Sequence, residues 1–436
     1  MRLRFKPSVP EKPVSFPGLI VRSFIAGVVS GAVVAAFNFA MQKVAGFGAE
    51  IYAGAAQHPI RLLWVIPGAA ALGVAAFLLL KLNPDVSGSG IPNAESALRG
   101  LRPLRRLRVI AGTVLGGLIT FFGGLSLGSE GPSVAIGAAI GYAVADWSSM
   151  DRQTASVVAT GAAGAGFAAA FHAPVAGALF ALEELKKGFG SSLTASVLSA
   201  VLGGTLSYTL LGKLWDAKRF LLATDVAVLP VNLAWSLLIA AMAAGAFAAL
   251  LIKVLELIHS SPFLKRVPAV VRIVAAFVAA AITGVFVADS FGSGIQTITA
   301  LNSLSTTWKS VLLLIALKSL MTALGFYSKA TGGLLIPSLA IGALVGEAVR
   351  AAFAFAGVGT EYTSLFTVVC MAAFLGAAFG TPMSAAVLAI ELTGADAETY
   401  LYIAAGVFVA FVTAELMKRN PLYEFMIESE MPYRLK

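Results

Sequence analysis

Residues 122–141 read FGGLSLGSEGPSVAIGAAIG, a run of glycine, alanine and aliphatic residues broken by one charge, Glu130. The end of that run, PSVAIGAAIG from Pro132, returns as PSLAIGALVG from Pro337, a shift of 337 − 132 = 205. Two further stretches keep nearly the same shift. GSGIP at 88–92 returns as GSGIQ at 292–296 (292 − 88 = 204), and AAFHAPVAGALFALE around Pro174 returns as AAFGTPMSAAVLAIE around Pro382 (382 − 174 = 208). The chain is therefore two copies of one unit. Residues 1–15 form a basic tail, 16–211 the first copy, 212–225 (GKLWDAKRFLLATD) a polar join, and 226–436 the second copy with a short C-terminal tail.

The solvent of this unit is lipid. Of 436 residues 58% are hydrophobic and only 12% charged, about half the charged share of a soluble domain. Long apolar blocks at 16–44, 62–80, 192–211, 226–257, 269–288, 310–324 and 402–412 are continuous rather than alternating, so they span as helices and not as barrel strands. The start, MRLRFKPSVPEKP, lacks the apolar core of a cleaved signal peptide and reads as a retained cytoplasmic tail. A net charge of +9 raises the question of nucleic acid, but the lysines and arginines flank apolar blocks, where orientation and anionic lipid account for them.

Charge also orients the copies. After GSGIP comes RGLRPLRRLR with Arg99, Arg102, Arg105, Arg106 and Arg108, whereas SLSTTWKSVL after GSGIQ has only Lys309. Lys186 and Lys187 follow Glu184, whereas Asp396 and Glu398 follow Glu391. The copies face opposite sides of the membrane, an inverted-repeat arrangement that places a transport site at the midplane between the halves. The glycine-rich breaks GSGIP and GSEGP then read as non-helical backbone turning into helix starts, tolerated in a membrane only along a cavity. Unpaired N–H groups at such starts carry about half a positive charge and hold an anion without a cationic side chain.

GSGIP at 88–92, GSEGP at 128–132, GGLLIP at 332–337 and NPLY at 420–423 together resemble the CLC family of chloride channels and chloride/proton antiporters. The resemblance implies an all-α integral membrane fold of about 18 tilted and broken helices in two inverted repeats, assembled as a homodimer with one pore per subunit. It implies that the hydroxyls of Ser89 and Tyr423 bind chloride, with backbone from Gly88, Gly131, Leu334 and Leu335 around it. Glu130 takes the place of the gating glutamate that also carries protons, and Glu184 that of the internal proton-transfer glutamate. Ser89, rather than proline or another residue, favours chloride over nitrate or fluoride. Two positions depart from the family pattern: Ser129 stands where a basic residue is usual, and Leu335 where phenylalanine is. With only Glu424–Lys436 after NPLY, the resemblance is to prokaryotic members without a cytoplasmic nucleotide-sensing domain.

The repeat supplies an internal control on each residue. Glu130 is matched by Leu335 and Glu184 by Leu392, so the architecture does not require an acid at either position, whereas Glu183 recurs as Glu391 and reads as structural. Ser89 recurs as Ser293, so the hydroxyl alone could serve a turn, and Tyr423 beside Lys418 and Arg419 could be an interfacial tyrosine. A buried membrane acid marks an ion or proton path by default. No enzyme chemistry is legible, since there is neither HExxH nor a nucleophile–base pair, and no GxxxxGK[ST] to power a pump. His58, His172 and His259 are scattered, so no metal site is expected, and Cys370, the only cysteine, excludes a disulfide within the chain. No cofactor is expected either. The reading is a multi-pass inner-membrane protein with both termini cytoplasmic, exchanging chloride for protons; a passive chloride channel is the alternative.

Overall fold

A computed structural model of the protein describes residues 14–215, 226–227, 229–301 and 307–430. Most of the tail and of the join between the copies lies outside the described residues. The first copy contains α1 (Phe16–Gln57), α2 (Leu62–Leu82), α3 (Ile91–Leu98), α4 (Arg106–Phe122), α5 (Glu130–Trp147), α6 (Arg152–Phe171), α7 (Pro174–Phe180) and α8 (Ser191–Leu214). The second contains α9 (Ala234–Ser260), α10 (Pro262–Arg266), α11 (Ala269–Phe286), α12 (Ile295–Leu301), α13 (Trp308–Ser328), α14 (Leu335–Ala352), α15 (Thr363–Phe379), α16 (Pro382–Thr393), α17 (Ala397–Leu416) and α18 (Leu422–Glu430). The fold is all-α, and α8 runs three residues into the stretch expected as the join.

Among the described residues ten stretches are long and apolar enough to cross a membrane, against seven blocks expected from sequence. The three additional ones are α6, α14 and the stretch Thr360–Phe379 that contains α15, and 83%, 78% and 89% of their apolar windows are buried, compared with 22–50% for the others. In α6 and α14 alanine and glycine dilute the hydrophobic signal, because these helices are wrapped by other helices and pack through small residues. A Cβ on Gly137 would meet Ala162 O at 2.3 Å, and one on Gly342 would meet Cys370 O at 2.6 Å, so the α5–α6 and α14–α15 crossings bring backbones together in the same way.

Hydrogen bonds between the copies come in reciprocal pairs. Gly128 N–H donates to Gly333 O (2.8 Å), and Gly333 N–H to Gly128 O (2.7 Å). Gly88 N–H donates to Lys329 O (2.9 Å), and its counterpart Gly292 N–H to Gly124 O (3.1 Å). At the starts of α16 and α7, Glu183 accepts from Met383 N (3.1 Å) and Ser384 N (2.7 Å), while Glu391 accepts from Val175 N (3.0 Å) and Ala176 N (2.7 Å). Exchanging donor and acceptor between copies in this way is what a two-fold rotation does. Combined with the arginine bias, it gives inverted topology.

Glu183 and Glu391 thus cap each other's helices, satisfying amides that have no partner within a helix. Glu183→Ala leaves Met383 and Ser384 without that partner and is expected to cost about 2 kcal/mol. Thermal unfolding of the detergent-solubilised protein reads this as a lowered midpoint, with a similar loss for Glu391→Ala; an unchanged midpoint in both would contradict the capping role.

Candidate functional site

Both glycine-rich breaks become helix starts. Before α3, Gly88 and Gly90 adopt φ of +74° and +83°, a left-handed region open to glycine at little cost, and turn the chain so that Ser89 stands at the helix entrance. Glu130 is the first residue of α5, and Leu335, its repeat counterpart, the first of α14. The Gly128–Gly333 pairing sets these two starts against each other.

The Glu130 side chain reaches across to the other copy. Its Oε1 accepts from Leu335 N at 2.7 Å and Ile336 N at 3.4 Å, the first amides of the 18-residue helix α14. The carboxylate is fully buried, Oε2 accepts from no described protein group, and the partners that hold it are backbone amides rather than a cation. Ser129 takes the N-cap position of α5 without a side-chain capping bond, so the departure from the family pattern leaves the acid to the amides alone. The positive end of α14 therefore holds a negative charge in the membrane interior by helix geometry.

The fit around the carboxylate is close. A Cβ on Gly128 would stand 1.9 Å from Glu130 Oε2 and one on Gly333 2.2 Å from Oε1, so glycine on both sides makes room for it. The three nearest atoms to a Cβ on Gly128 all belong to the Glu130 side chain. Gly128→Ala is therefore expected to expel the carboxylate from the α14 amides without moving backbone. A crystal structure of the variant with Glu130 Oε1 still on Leu335 N would contradict this.

Ser89 lies on the first turn of α5. A Cβ on Gly131 would sit 1.9 Å from Ser89 O, which explains the glycine there. Ser89 Oγ is 3.5 Å from the hydroxyl of Tyr423, in the first turn of α18; both residues are buried, and the Tyr423 ring packs on Phe379 with centroids 4.8 Å apart. Burial removes the interfacial reading of Tyr423. Gly88 corrects the expectation in another way: its N–H is committed to Lys329 O and its carbonyl accepts from Gly332 N (3.1 Å), so it shapes the turn and has no open amide for an anion. Leu334 is the N-cap of α14 and Leu335 its first residue, whose amide meets the carboxylate; the Ile336 amide beside it was not foreseen. A cavity of about 280 Å³ opens beside Gly88, Ser89 and Leu334 and leads outward between α9, α10, α11, α13 and α18.

Glu184 sits in a π-helical turn, Ala181–Leu185, of a kind that recurs at functional sites. It is buried, and its Oε1 has no hydrogen-bond partner. The neighbouring lysines do not solvate it. Lys186 Nζ donates to Ser156 Oγ (2.8 Å) and Leu98 O (3.3 Å), and Lys187 pairs with Glu424. Its charged neighbours include Glu95, Lys187, Glu424, Arg99 and Arg419. Sequence reading missed Glu95, a fully buried acid in α3 paired with Arg99, because an acid and a base four residues apart look like an ordinary surface pair.

A buried acid on the amides of a broken membrane helix, two facing hydroxyls beside it and a cavity leading away describe an ion-transport membrane protein with its site between inverted repeats. Comparison with known proteins gives the family. A family model described as voltage gated chloride channel matches residues 70–415. The H(+)/Cl(-) exchange transporter ClcA of Citrobacter koseri is 30% identical over 426 residues, covering 94% of this chain and 88% of the relative, and ClcA of Salmonella paratyphi B is 29% identical over the same length. Among solved structures, a slow cyanobacterial Cl-/H+ antiporter superposes with a TM-score of 0.86 at 23% identity, covering 96% of this chain and 99% of the other. A CLC-type fluoride/proton antiporter superposes at 0.76 and 21% identity, covering 95% and 99%. The chain belongs to the CLC family of chloride channels and transporters.

Proposed function

We infer that this protein is a chloride/proton antiporter, as its relatives named as H(+)/Cl(-) exchange transporters are. One observation carries the site reading: the Glu130 carboxylate rests on the Leu335 and Ile336 amides, where a chloride would gain the same stabilisation. Ionised, Glu130 fills that berth and closes the path. Protonated, it loses the charge that the helix start holds, swings away, and chloride takes its place. Chloride then passes Ser89 and Tyr423, whose two hydroxyls stand within reach of one ion, to the cavity beyond.

Glu184 relays protons between Glu130 and the face with the arginine-rich loop, the cytoplasmic face by the positive-inside rule. Both termini lie on that face, in the inner membrane, and the active unit is a homodimer with a pathway in each subunit, as the family resemblance implies. No step needs a cofactor, because the acids carry the protons and the amides and hydroxyls carry the anion. The test is flux from liposomes reconstituted with purified protein. A chloride gradient is expected to drive protons uphill in the opposite sense. Chloride flux that never moves protons uphill would leave a passive channel instead.

A further inference from the structure

Arg419 carries a buried charge where the chain passes from α17 to α18. Its side chain is 1% exposed, whereas that of its acid partner Glu415, which accepts from Nη2 at 2.9 Å, is 51% exposed. Arg419 Nε and Nη1 are buried and have no hydrogen-bond partner. The guanidinium lies 5.4 Å from the Phe411 ring centre, and a Cβ on Gly380 would stand 3.3 Å from Nη1, so glycine at the end of α15 leaves it room. Buried N–H groups are rarely left without a partner.

The complementary orphans lie in the same region. Glu184 Oε1 and Glu95 Oε2 are buried acid oxygens without a partner. Around Glu184 stand Glu95 and Arg99 from α3, Lys187 from just after the π turn, Glu424 from α18, and Arg419. Most of these charges cancel in pairs. Arg99 is bonded to Glu95 and Lys187 to Glu424, while Glu183 is taken by the α16 amides and Lys186 by Ser156 and Leu98. What remains is one buried acid, Glu184, and one buried cation, Arg419, whose own carboxylate is screened by solvent. Polar atoms orphaned in this way are met by buried water, each molecule serving roughly three of them.

We propose that Arg419 is a positioning residue of the proton route: acting through buried water, its charge stabilises ionised Glu184, so that Glu184 releases its proton near neutral pH instead of keeping it. The proposal rests on the relay role inferred for Glu184 above. Burial and a neighbouring carboxylate both oppose ionisation, and a relay has to pass through the ionised form.

The test is flux from liposomes driven by a chloride gradient at equal pH on both faces, with the ratio of proton to chloride flux taken at each pH. That ratio removes the titration of Glu130, which both fluxes share. Arg419→Gln is expected to lower it about tenfold at neutral pH and to regain it about one pH unit higher, because loss of the positive neighbour raises the proton affinity of Glu184 and alkali is then needed to ionise it. Arg419→Lys keeps the charge and should hold the neutral-pH ratio within about twofold of the native value. An Arg419→Gln ratio equal to the native one at every pH, or lowered equally at every pH, would overturn the proposal. Should Arg419→Gln fail to fold, a crystal structure of the native protein decides: ordered water bridging Arg419 Nε or Nη1 to Glu184 is expected, and protein groups alone on those nitrogens would overturn the proposal. Full coupling in Glu184→Gln would remove the relay reading and this proposal with it. Coupling lost in Glu184→Gln but unaltered in Arg419→Gln would overturn this proposal alone.

Discussion

Glu130→Gln is expected to let chloride cross while reducing chloride-driven proton movement to the background of protein-free liposomes. Glutamine has nearly the shape of the protonated acid but neither the charge that the α14 amides hold nor a proton to give up. Its amide oxygen can still accept from Leu335 N–H and Ile336 N–H, but without the negative charge that the helix start stabilises it is held there more weakly than the carboxylate and yields the berth to chloride. The path is then open to chloride throughout, and the anion and proton fluxes part company. Parallel recording of chloride and pH in one preparation checks this. A variant that still drives protons uphill would show that the acid occupying the anion's place is not the acid that carries the proton.

Glu184→Gln is expected to lose proton flux by at least about tenfold with chloride flux largely retained, because Glu184 is buried in its own π turn and makes no hydrogen bond to the α14 start or to the Ser89–Tyr423 pair among the described residues. The two variants separate the proposed pathways: in that reading the first alters a group in the anion's place, the second a group on the proton route alone. A Glu184→Gln protein that keeps full coupling would move the relay to another buried acid. Glu95, in α3 and among the charged neighbours of Glu184, is the next group to test.

Much of this architecture was legible in the sequence because inverted repeats constrain it twice. The offset near 205 exposed the halves, the glycines marked where helices break, and the recurrence of Glu183 as Glu391 separated a structural acid from Glu130 and Glu184. The reciprocal capping by Glu183 and Glu391 is the physical content of that recurrence. What stayed hidden depends on three-dimensional neighbours. Nothing local says that Gly88 N–H is taken by Lys329 O, that Lys186 turns from Glu184 to Ser156, or that Glu95 is buried although its partner Arg99 is exposed. The cavity draws its walls from residues between Ser87 and Ser429, so no window of sequence contains it. The buried helices α6 and α14 escaped because small-residue packing inside a membrane protein dilutes the apolar pattern that marks a lipid-facing span.

The most direct measurement is anomalous diffraction from crystals of Glu130→Gln grown in bromide, which stands in for chloride and can be located by its own signal. A bromide within hydrogen-bond reach of the Leu335 amide, in the space the carboxylate fills in the native protein, is the predicted result. Bromide bound to arginine or lysine side chains with the start of α14 unoccupied would contradict the account.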